Sequence, residues 1–259
     1  MTANTSAAAS GTLTIRKCES LEEMQAAFAL QEEVWKFNAA ELVPVRVFVL
    51  ANKIGGHVVG AFEGAALVSF TLALPGIRNG HLYLHSQMLA VRQQYRNRGL
   101  GRRMKLYQRE DALARGFELM EWTFDPLEIK NAYLNIEKLG AIARRYHVNQ
   151  YGITSSPLQG GLPSDRLVAE WWMKSRRVQQ VLAGERAEFE PRAQIQVPAE
   201  IYEWKAAPAT RDRALAVQLK NRELFAKAFR EGLIVLGYER GERGGGRFLL
   251  GEWNESWRY

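Results

Sequence analysis

The segment LAVRQQYRNRGLGRRM, residues 89–104, constrains the fold of this chain more than any other. An apolar, strand-like run ending at Val91 leads through a short loop directly into a helical pattern. Glycines in that loop allow positive φ and let a ligand approach the backbone closely. The first N–H groups of a helix lack internal partners, and its dipole favours negative charge there, so the junction predicts a phosphate site. The residues of this loop are Arg96, Asn97, Arg98, Gly99, Leu100 and Gly101.

The loop does not match two common nucleotide motifs. It lacks the G-K-[ST] ending of a triphosphatase loop and the G-x-G-x-x-G of dinucleotide folds. A plainer alternative is a tight strand-to-helix turn whose arginines are merely solvated. Arg98, Arg102 and Arg103 surround the same spot, so a bound anion would gain charge-assisted hydrogen bonds there.

Apolar periodicity predicts an alternation of strands and helices over residues 12–174. A strand, a helix and a second strand around residues 81–125 indicate a parallel crossover inside a mixed sheet. The fold class is therefore α/β (α+β), a mixed central sheet flanked by helices. The predicted strands are 12–17, three between 57 and 91, 118–124, 141–152 and 165–173, and the predicted helices follow Ser20, Pro44, Gly101 and Asp125.

Beyond Lys174 the composition changes, and residues 175–259 are predicted as a C-terminal extension of one helix plus a hairpin. A basic helical segment precedes a linker-like stretch, EPRAQIQVPAE, and a long helix spans about 210–231. Residues 12–174 then form the main domain, and residues 1–11 a flexible tail. The expected buried stripe of the long helix is Val217, Leu224, Phe225, Ala228 and Phe229.

The net charge of +7 favours an anionic partner, whether nucleic acid, anionic lipid or a phosphate-bearing small molecule. Cys18 is the single cysteine, so an internal disulfide is excluded and a reducing cytoplasm is the default location. No apolar run approaches the roughly 18 residues of a membrane helix. His57, His81 and His147 lack the spacing of a metal site, so no metal is expected.

The motif R-x-x-G-x-G after a strand ending LAV resembles the pyrophosphate-binding motif of the GNAT superfamily of CoA-dependent N-acyltransferases. The order of elements over residues 12–173 is similar to that fold, including a helix from Asn131 to Gly140. The stretches WTFDPLEIKNAYLNIEKLGAIARRYHVNQYG and LPSDRLVAEWW resemble a GNAT subfamily linked to N-acylamino acid racemase systems, in which succinyl-CoA:amino acid N-succinyltransferases occur. The resemblance covers nearly the whole chain.

This resemblance implies an enzyme in which an amine attacks the thioester of acetyl-CoA or another acyl-CoA, such as succinyl-CoA. It implies that Leu89 and Val91 bind the pantetheine arm through main chain, that residues 96–101 hold the pyrophosphate, and that Asn131 lies along the cofactor. The acceptor is expected to be a small primary amine, including the α-amine of a free amino acid.

His85 is the first candidate for the general base. It lies six residues before Val91, where several GNAT enzymes carry a glutamate, and strand alternation predicts the same face as Leu89 and Val91. Its unperturbed pKa near 6.5 suits a base at neutral pH. Glu121 and Asp125 are the runners-up, and a core histidine bonded to a neighbouring strand is the structural alternative for His85.

The sequence does not carry the general acid at the position that the resemblance implies. Many GNAT enzymes place a tyrosine four residues before the glycine that closes this helix, and here that position is Ile136. Tyr133 and Tyr146 are the substitutes, although each is equally typical of a buried, packed tyrosine. A thiolate with a pKa near 8.5 also leaves without an acid.

Free-energy arithmetic favours an α-amine as the acceptor. At pH 7, deprotonating a lysine-type amine costs more than about 4 kcal/mol, against about 1 kcal/mol for an α-amine. The carboxylate of an amino acid would also need an arginine, and the candidates are Arg46, Arg144, Arg145 and Arg166.

Two rival functions stay open on the sequence. One is a GNAT-fold protein that binds CoA without turnover, and the other, less favoured, is a basic nucleic-acid-binding module. The scattered basic residues argue against the second and against a membrane surface. A homodimer stays open as well.

Overall fold

The structure, a computed structural model, describes residues 12–253, and the predicted tail of residues 1–11 lies outside them. No helix in this described part is long and apolar enough to cross a bilayer. The strands are β1 Leu13–Lys17, β2 His57–Glu63, β3 Ala66–Arg78, β4 His81–Val91, β5 Leu119–Phe124, β6 Tyr146–His147, β7 Arg166–Trp172, β8 Ala193–Val197, β9 Leu233–Arg240 and β10 Gly246–Glu252. The α-helices are α1 Leu21–Trp35, α2 Val45–Lys53, α3 Leu100–Ala114, α4 Ile129–Tyr133, α5 Arg176–Leu182, α6 Ile201–Ala206 and α7 Arg211–Arg230.

The first seven strands form one mixed sheet in the order β1-β2-β3-β4-β5-β7-β6. β4 and β5 are parallel neighbours joined through α3, whereas the other neighbours in this sheet are antiparallel. The predicted parallel crossover and the mixed sheet flanked by helices are confirmed. The parallel pair at the centre of the sheet is where the candidate site lies.

The first two helices begin where the sequence signals predicted. The Ser20 side chain accepts from the Glu23 backbone N–H at 3.2 Å, and the Glu23 carboxylate accepts from the Ser20 backbone N–H at 3.3 Å, which forms a capping box. Pro44 precedes the first turn of α2, where the missing N–H costs nothing.

Helices cover both faces of the sheet. α1 and α2 pack on one face, where Phe48 and Phe70 meet edge to face with centroids 5.6 Å apart. α3 packs on the other face, where Leu100 and Met104 contact Val59 of β2. The sheet is therefore buried on both sides at its centre, as a parallel pair requires.

The C-terminal segment continues the core of the first sheet. Strands β8, β10 and β9 form a second, three-stranded sheet, and a short stretch of chain links the two. Ile142 pairs with Glu170 of β7, and the next residue, Ala143, pairs with Val235 of β9. Phe225 of α7 belongs to the same apolar cluster as residues of β5 and β7, so the two sheets share one core.

Three predictions about the second half were wrong. The linker-like stretch contains strand β8, because Ala193, Ile195 and Val197 alternate inward against β10 between two flanking prolines. α6 was not predicted. The strand expected over 141–152 reduces to Tyr146–His147, because this chain pairs with β7 and β9 in turn and forms a regular ladder with neither.

The buried stripe of α7 is more polar than predicted. Phe225 and Ala228 are buried as expected, but the Leu224 side chain is 36% exposed. Gln218 and Asn221 lie in the stripe instead and donate to the carbonyls of neighbouring loop and strand residues at 2.7 and 3.0 Å. The helix is therefore anchored by hydrogen bonds to main chain as well as by apolar packing.

Phe225→Ala tests whether the C-terminal segment shares one cooperative core with the first sheet. The side chain is 0% exposed, so we expect a loss of about 3–5 kcal/mol in the free energy of unfolding, measured by urea denaturation with a single transition. The neighbouring Leu224→Ala is the control and should cost less than about 1 kcal/mol. Two separate transitions, or equal costs for both variants, would contradict a shared core.

Candidate functional site

The loop before α3 has the backbone that the sequence predicted. Asn97 and Gly99 adopt left-handed conformations with φ of 59° and 73°, and Gly99 is the N-cap of α3. No side chain of residues 12–253 caps this helix. Arg96 and Arg98 are exposed, whereas Leu100 is 2% exposed and anchors the first turn in the core. The loop is therefore held rigidly while its polar side faces solvent.

The start of α3 presents main-chain donors. The Arg103 N–H makes the first helical bond, to the Gly99 carbonyl at 3.1 Å. The N–H groups of Leu100, Gly101 and Arg102 precede that bond and have no intrahelical acceptor. Three amides and the positive end of the helix dipole thus point at the space in front of the loop.

Three elements meet at Gly101. A Cβ atom at this position would lie 3.8 Å from the Leu89 side chain on β4 and 3.9 Å from that of Leu134, just after α4. The Arg96 guanidinium donates to the Val91 carbonyl at 2.8 Å and fixes the loop against the end of β4. The predicted pyrophosphate loop and pantetheine strand are thereby adjacent.

β4 and β5 separate soon after they pair. Only Leu84–Met120 and His85–Glu121 are in register between the two strands. Beyond these pairs each strand continues with no ladder to the other, and we call the region between the two unpaired strand ends the slot. Main-chain groups on this side of β4 are consequently available to an extended ligand.

A bulge in β4 overturns the predicted orientation of His85. The register between β3 and β4 shifts by one residue, so Gln87 has no partner on β3. The Ser86 hydroxyl bonds to side chains of α3, and Leu89 and Val91 also pack on the α3 face. His85 therefore lies on the opposite face from Leu89 and Val91, because the extra residue inverts the alternation.

His85 remains the available base on its face. It is half-buried, it has no hydrogen-bond partner among residues 12–253, and burial lowers the pKa of its imidazole below the usual value. The adjacent Glu121 is buried and already bonded, with Arg78 donating to both carboxylate oxygens at 2.6 Å and Arg145 to one of them. Glu121 is thus a structural anion here, while His85 is neutral and free.

Arginines line the His85 face. Glu170 accepts from Arg144 at 3.1 Å and from Arg145 at 3.0 Å, beside the pair of Glu121 and Arg78. Three guanidiniums share two carboxylates, so the cluster keeps one net positive charge. Each of the three arginines is about a third exposed, which leaves donors available to an anionic group.

The two other arginines expected near the acceptor lie elsewhere. Arg46 is exposed on α2. Arg166 donates to the Asp165 carbonyl at 3.0 Å and to Gln159 at 3.1 Å.

Both predicted substitutes for the acid have other partners. The Tyr133 ring is near the Lys138 ammonium, 5.2 Å away, and the Arg240 guanidinium, 5.3 Å away. The Tyr146 hydroxyl donates to Asp165 at 2.6 Å, and burial together with this bond raises its pKa. β6, which carries Tyr146, lies three strand spacings from β4, about 14 Å.

The segment after α4 winds into a π-helical turn, Leu134–Lys138. Ile136 in this turn is fully buried, so no proton donor occupies the position of the expected tyrosine. Asn131 is exposed on α4, on the side of the sheet that carries α3.

A buried polar network under α3 escaped the sequence analysis. His57 Nδ1 lies 2.6 Å from the Asp111 carboxylate, and its Nε2 lies 2.9 Å from the Gln108 amide. Lys17 and Arg115 pair with the same Asp111. Burial is the main cause that lowers the pKa of His57, so the ring is a neutral structural group, as predicted.

Lys105 is the most unusual member of this network. It is 2% exposed, its ammonium donates to Ser86 Oγ at 2.7 Å, and it lies 3.7 Å from the centroid of the Trp122 ring. No carboxylate of residues 12–253 pairs with it, and burial holds its pKa well below the usual value. A lysine beside Met104 on the inward side of α3 was the signal in the sequence.

The tryptophan pair, the cysteine and the two other histidines lie outside this network. Trp171 and Trp172 are buried on opposite faces, and Trp172 meets residues of the C-terminal segment. Cys18 is buried, which raises its pKa to about 12, and His81 and His147 are exposed. Residues 12–253 contain no cluster of three metal-ligating side chains of the His, Cys, Asp or Glu type.

A cavity of about 500 Å³ opens beside the first turn of α3, between the π-helical turn Leu134–Lys138 and the C-terminal segment. It combines cationic groups with an apolar floor and one aromatic ring. Its lining includes Arg102, Lys138, Arg177, Arg186, Phe189 and Leu236.

Comparisons by sequence find no relative of this chain. No protein-family model matches it, and no curated protein matches it significantly. Any likeness must therefore come from the structure.

Solved structures share the fold. They include yncA from Salmonella typhimurium with its cofactor acetyl-CoA (TM-score 0.52, 14% identity, 64% of this chain and 97% of that one). The NatC complex bound to Gag peptide and CoA gives a TM-score of 0.51 at 12% identity, over 62% and 99% of the two chains. The ribosomal-protein-S18-alanine N-acetyltransferase from Escherichia coli gives 0.50 at 16%, over 64% and 97%. The chain therefore has the fold of the GNAT acetyltransferases, as the sequence predicted.

Proposed function

We propose that this protein is an acyl-CoA-dependent N-acyltransferase that acts on a small primary amine. The observation that carries the proposal is the start of α3, where three unpaired amides face the mouth of the slot between β4 and β5. A diphosphate bound at the amides would direct the rest of an extended cofactor along β4. The GNAT fold and the acetyl-CoA or CoA in two of the similar structures support this.

The residues around the loop suit a diphosphate. Its two negative charges would meet the amides of Leu100, Gly101 and Arg102 and the exposed side chains of Arg98 and Arg103. Each charge-assisted hydrogen bond contributes roughly 1.5–3 kcal/mol. A few such bonds are enough for micromolar affinity, which corresponds to about 8 kcal/mol.

The slot orients the reacting groups. Main chain of Leu89 and Val91 would hold the pantetheine arm, and Asn131 would lie along it. When bound, acyl-CoA supplies an activated carbonyl that needs no covalent enzyme intermediate. Gln87, which has no partner on β3, offers its amide to the developing oxyanion.

His85 would accept the proton of the amine on the face of the sheet that points away from α3. Its pKa is lowered by burial, so the imidazole is unprotonated at pH 7 and ready to act as a base. Glu121, held by Arg78 and Arg145, would orient and stabilise rather than exchange a proton. Tyr133 and Tyr146 stay weaker candidates for an acid, because both are turned to other partners.

The arginine cluster supports a carboxylate-bearing acceptor. Arg78, Arg144 and Arg145 carry one positive charge more than Glu121 and Glu170 neutralise, and they line the face that His85 occupies. An α-amino acid would bring a carboxylate to this charge and place its primary amine beside it. A free amino acid is therefore our preferred acceptor.

Acetyl and succinyl groups are both proposed as the acyl group. The resemblance to the subfamily linked to N-acylamino acid racemases, like the cytoplasmic location and the homodimer, stays a prediction. The division into an acyltransferase domain, residues 12–174, and a C-terminal extension, residues 175–259, also stays a proposal, and the two parts share one core.

A protein that binds CoA without turnover is the alternative. The observation that favours it is Ile136, buried where the related enzymes carry an acid. A basic nucleic-acid-binding module has no such observation in its favour.

Gly99→Asp should weaken binding of CoA about 10- to 100-fold, measured by isothermal titration calorimetry. The position is open, with nothing within 4 Å of an added Cβ, so the new carboxylate would face the diphosphate directly. Gly99→Asn is the matched control, because Asn tolerates a positive φ as Asp does but carries no charge. Equal losses in both variants would show that the effect is conformational and would remove the diphosphate site.

A thiol-release screen tests the reaction itself. Acetyl-, succinyl- and longer acyl-CoA are crossed with free amino acids of both hands, and we expect release above background with at least one carboxylate-bearing amine. His85→Gln should lower kcat by about 100-fold or more at an unchanged affinity for CoA. The acid limb of kcat/KM in the wild type should lie below pH 6.5, because the base has a lowered pKa.

Background release across the whole panel, with CoA binding intact, would favour the protein without turnover. Full activity in His85→Gln would retire His85 as the base.

A further inference from the structure

Lys105 reaches the apex of the slot between β4 and β5. The last residues in register are His85 and Glu121, so Ser86 and Trp122 are the first residue of each strand beyond the pairing. The Lys105 ammonium is 2.7 Å from Ser86 Oγ and 3.7 Å from the Trp122 ring centroid. Its Nζ therefore bridges both strands at the point where they part.

No acidic side chain of residues 12–253 pairs with the Lys105 amine, which is unusual for a buried lysine. The other buried lysine in the described chain, Lys205, donates to Asp125 at 2.9 Å and to Glu128 at 2.8 Å. Lys105 has only a hydroxyl and an aromatic face. A buried amine without an acidic partner lowers the free energy of unfolding. Its presence at the apex therefore points to a function other than stability.

Lys105 and His85 lie on opposite faces of the sheet at the same level. Ser86 faces α3, and His85, its neighbour on β4, faces away. In the proposed reaction, an amine entering on the His85 face would attack a carbonyl in the slot, and the sulfur would leave towards the Lys105 face. The two groups are thus separated by the reacting bond.

We propose that Lys105 is the proton donor to the leaving sulfur, an inference that rests on the proposed acyl transfer. The nitrogen of the acceptor forms a bond to the carbonyl carbon, and the C–S bond breaks with its electron pair on sulfur. The ammonium of Lys105 gives one proton to that sulfur, and His85 takes one from the amine. When the thiol has left, His85 releases its proton and Lys105 takes one up.

The proton affinities fit this transfer. An ordinary lysine, with a pKa near 10.4, holds its proton more tightly than a thiolate near 8.5 accepts it. Burial lowers the pKa of Lys105 from that ordinary value, which makes its ammonium a stronger acid towards the thiolate.

The other titratable and charged groups around Lys105 are neutral or already held by partners of their own. On the far sides of β4 and β5, His85 is neutral and Glu121 is held by its arginines. On α3, Arg109 donates to the Met173 carbonyl. Asp111, farther along the same helix, pairs with Lys17 and Arg115. Lys105 is thus the basic group that lies at the apex on the α3 face, whereas Arg78 and Arg145 lie on the His85 face.

The test is the thiol pKa of CoA bound to the full-length protein, followed by the ultraviolet absorbance of the thiolate. In the wild type the ammonium should lower this pKa by at least one unit relative to free CoA. In Lys105→Met the pKa should return to or above the value of free CoA, while the affinity for CoA at pH 7 changes by less than threefold. The measurement needs no acceptor.

Stability separates this role from a structural one. Lys105→Met replaces an unpaired buried amine by an apolar chain of similar size, so its melting temperature should equal or exceed that of the wild type. Lys205→Met is the control and should melt lower, because it leaves Asp125 and Glu128 without their cation. With the acceptor found in the screen, Lys105→Met should lose kcat without a change in KM for acyl-CoA.

Each outcome decides between the two proposals. An equal thiol pKa in the wild type and Lys105→Met, with CoA bound to both, would overturn the role of Lys105 and leave the acyltransferase intact. Failure of the wild type to bind CoA would overturn the acyltransferase and this inference together. A lower melting temperature for Lys105→Met, with an unshifted thiol pKa, would mark Lys105 as structural.

Discussion

The early separation of β4 from β5 is the constraint on which the candidate site depends. Two registered pairs hold the strands together, and the chain then uses a bulge at Gln87 and the turn into α3 to keep them apart. The slot, the unpaired amides of α3 and the two proton-transfer candidates all follow from this arrangement. A fully paired β4–β5 ladder would leave no room for an extended ligand.

Local signals in the sequence were sufficient to predict the order of strands and helices around the first sheet. The capping box at Ser20, Pro44 before α2 and the glycine loop before α3 each act over a few residues, so they can be recognised without knowledge of tertiary contacts. The parallel crossover follows from the order of these elements. The position of the left-handed glycine loop before α3 was predictable for the same reason.

Features that depend on contacts between residues distant in the sequence could not be predicted from it. A single bulge residue, Gln87, inverts the face of His85 relative to Leu89, and nothing in the local pattern marks it. β8 forms because β10 is available to pair with it, and the stretch 141–152 loses its ladder because two partners share it. The sequence marks Lys105 only by its place beside Met104, and the residue becomes exceptional because α3 places it between Ser86 and Trp122.

The central claim is that the first amides of α3 bind the diphosphate of CoA. The most direct measurement is an NMR titration of the ¹⁵N-labelled protein with CoA, following the backbone amides of residues 99–102. The account predicts large downfield proton shifts at Leu100 and Gly101 that saturate with CoA and are absent with pantetheine, which lacks the diphosphate. Saturable CoA binding that leaves these amides unmoved would contradict it.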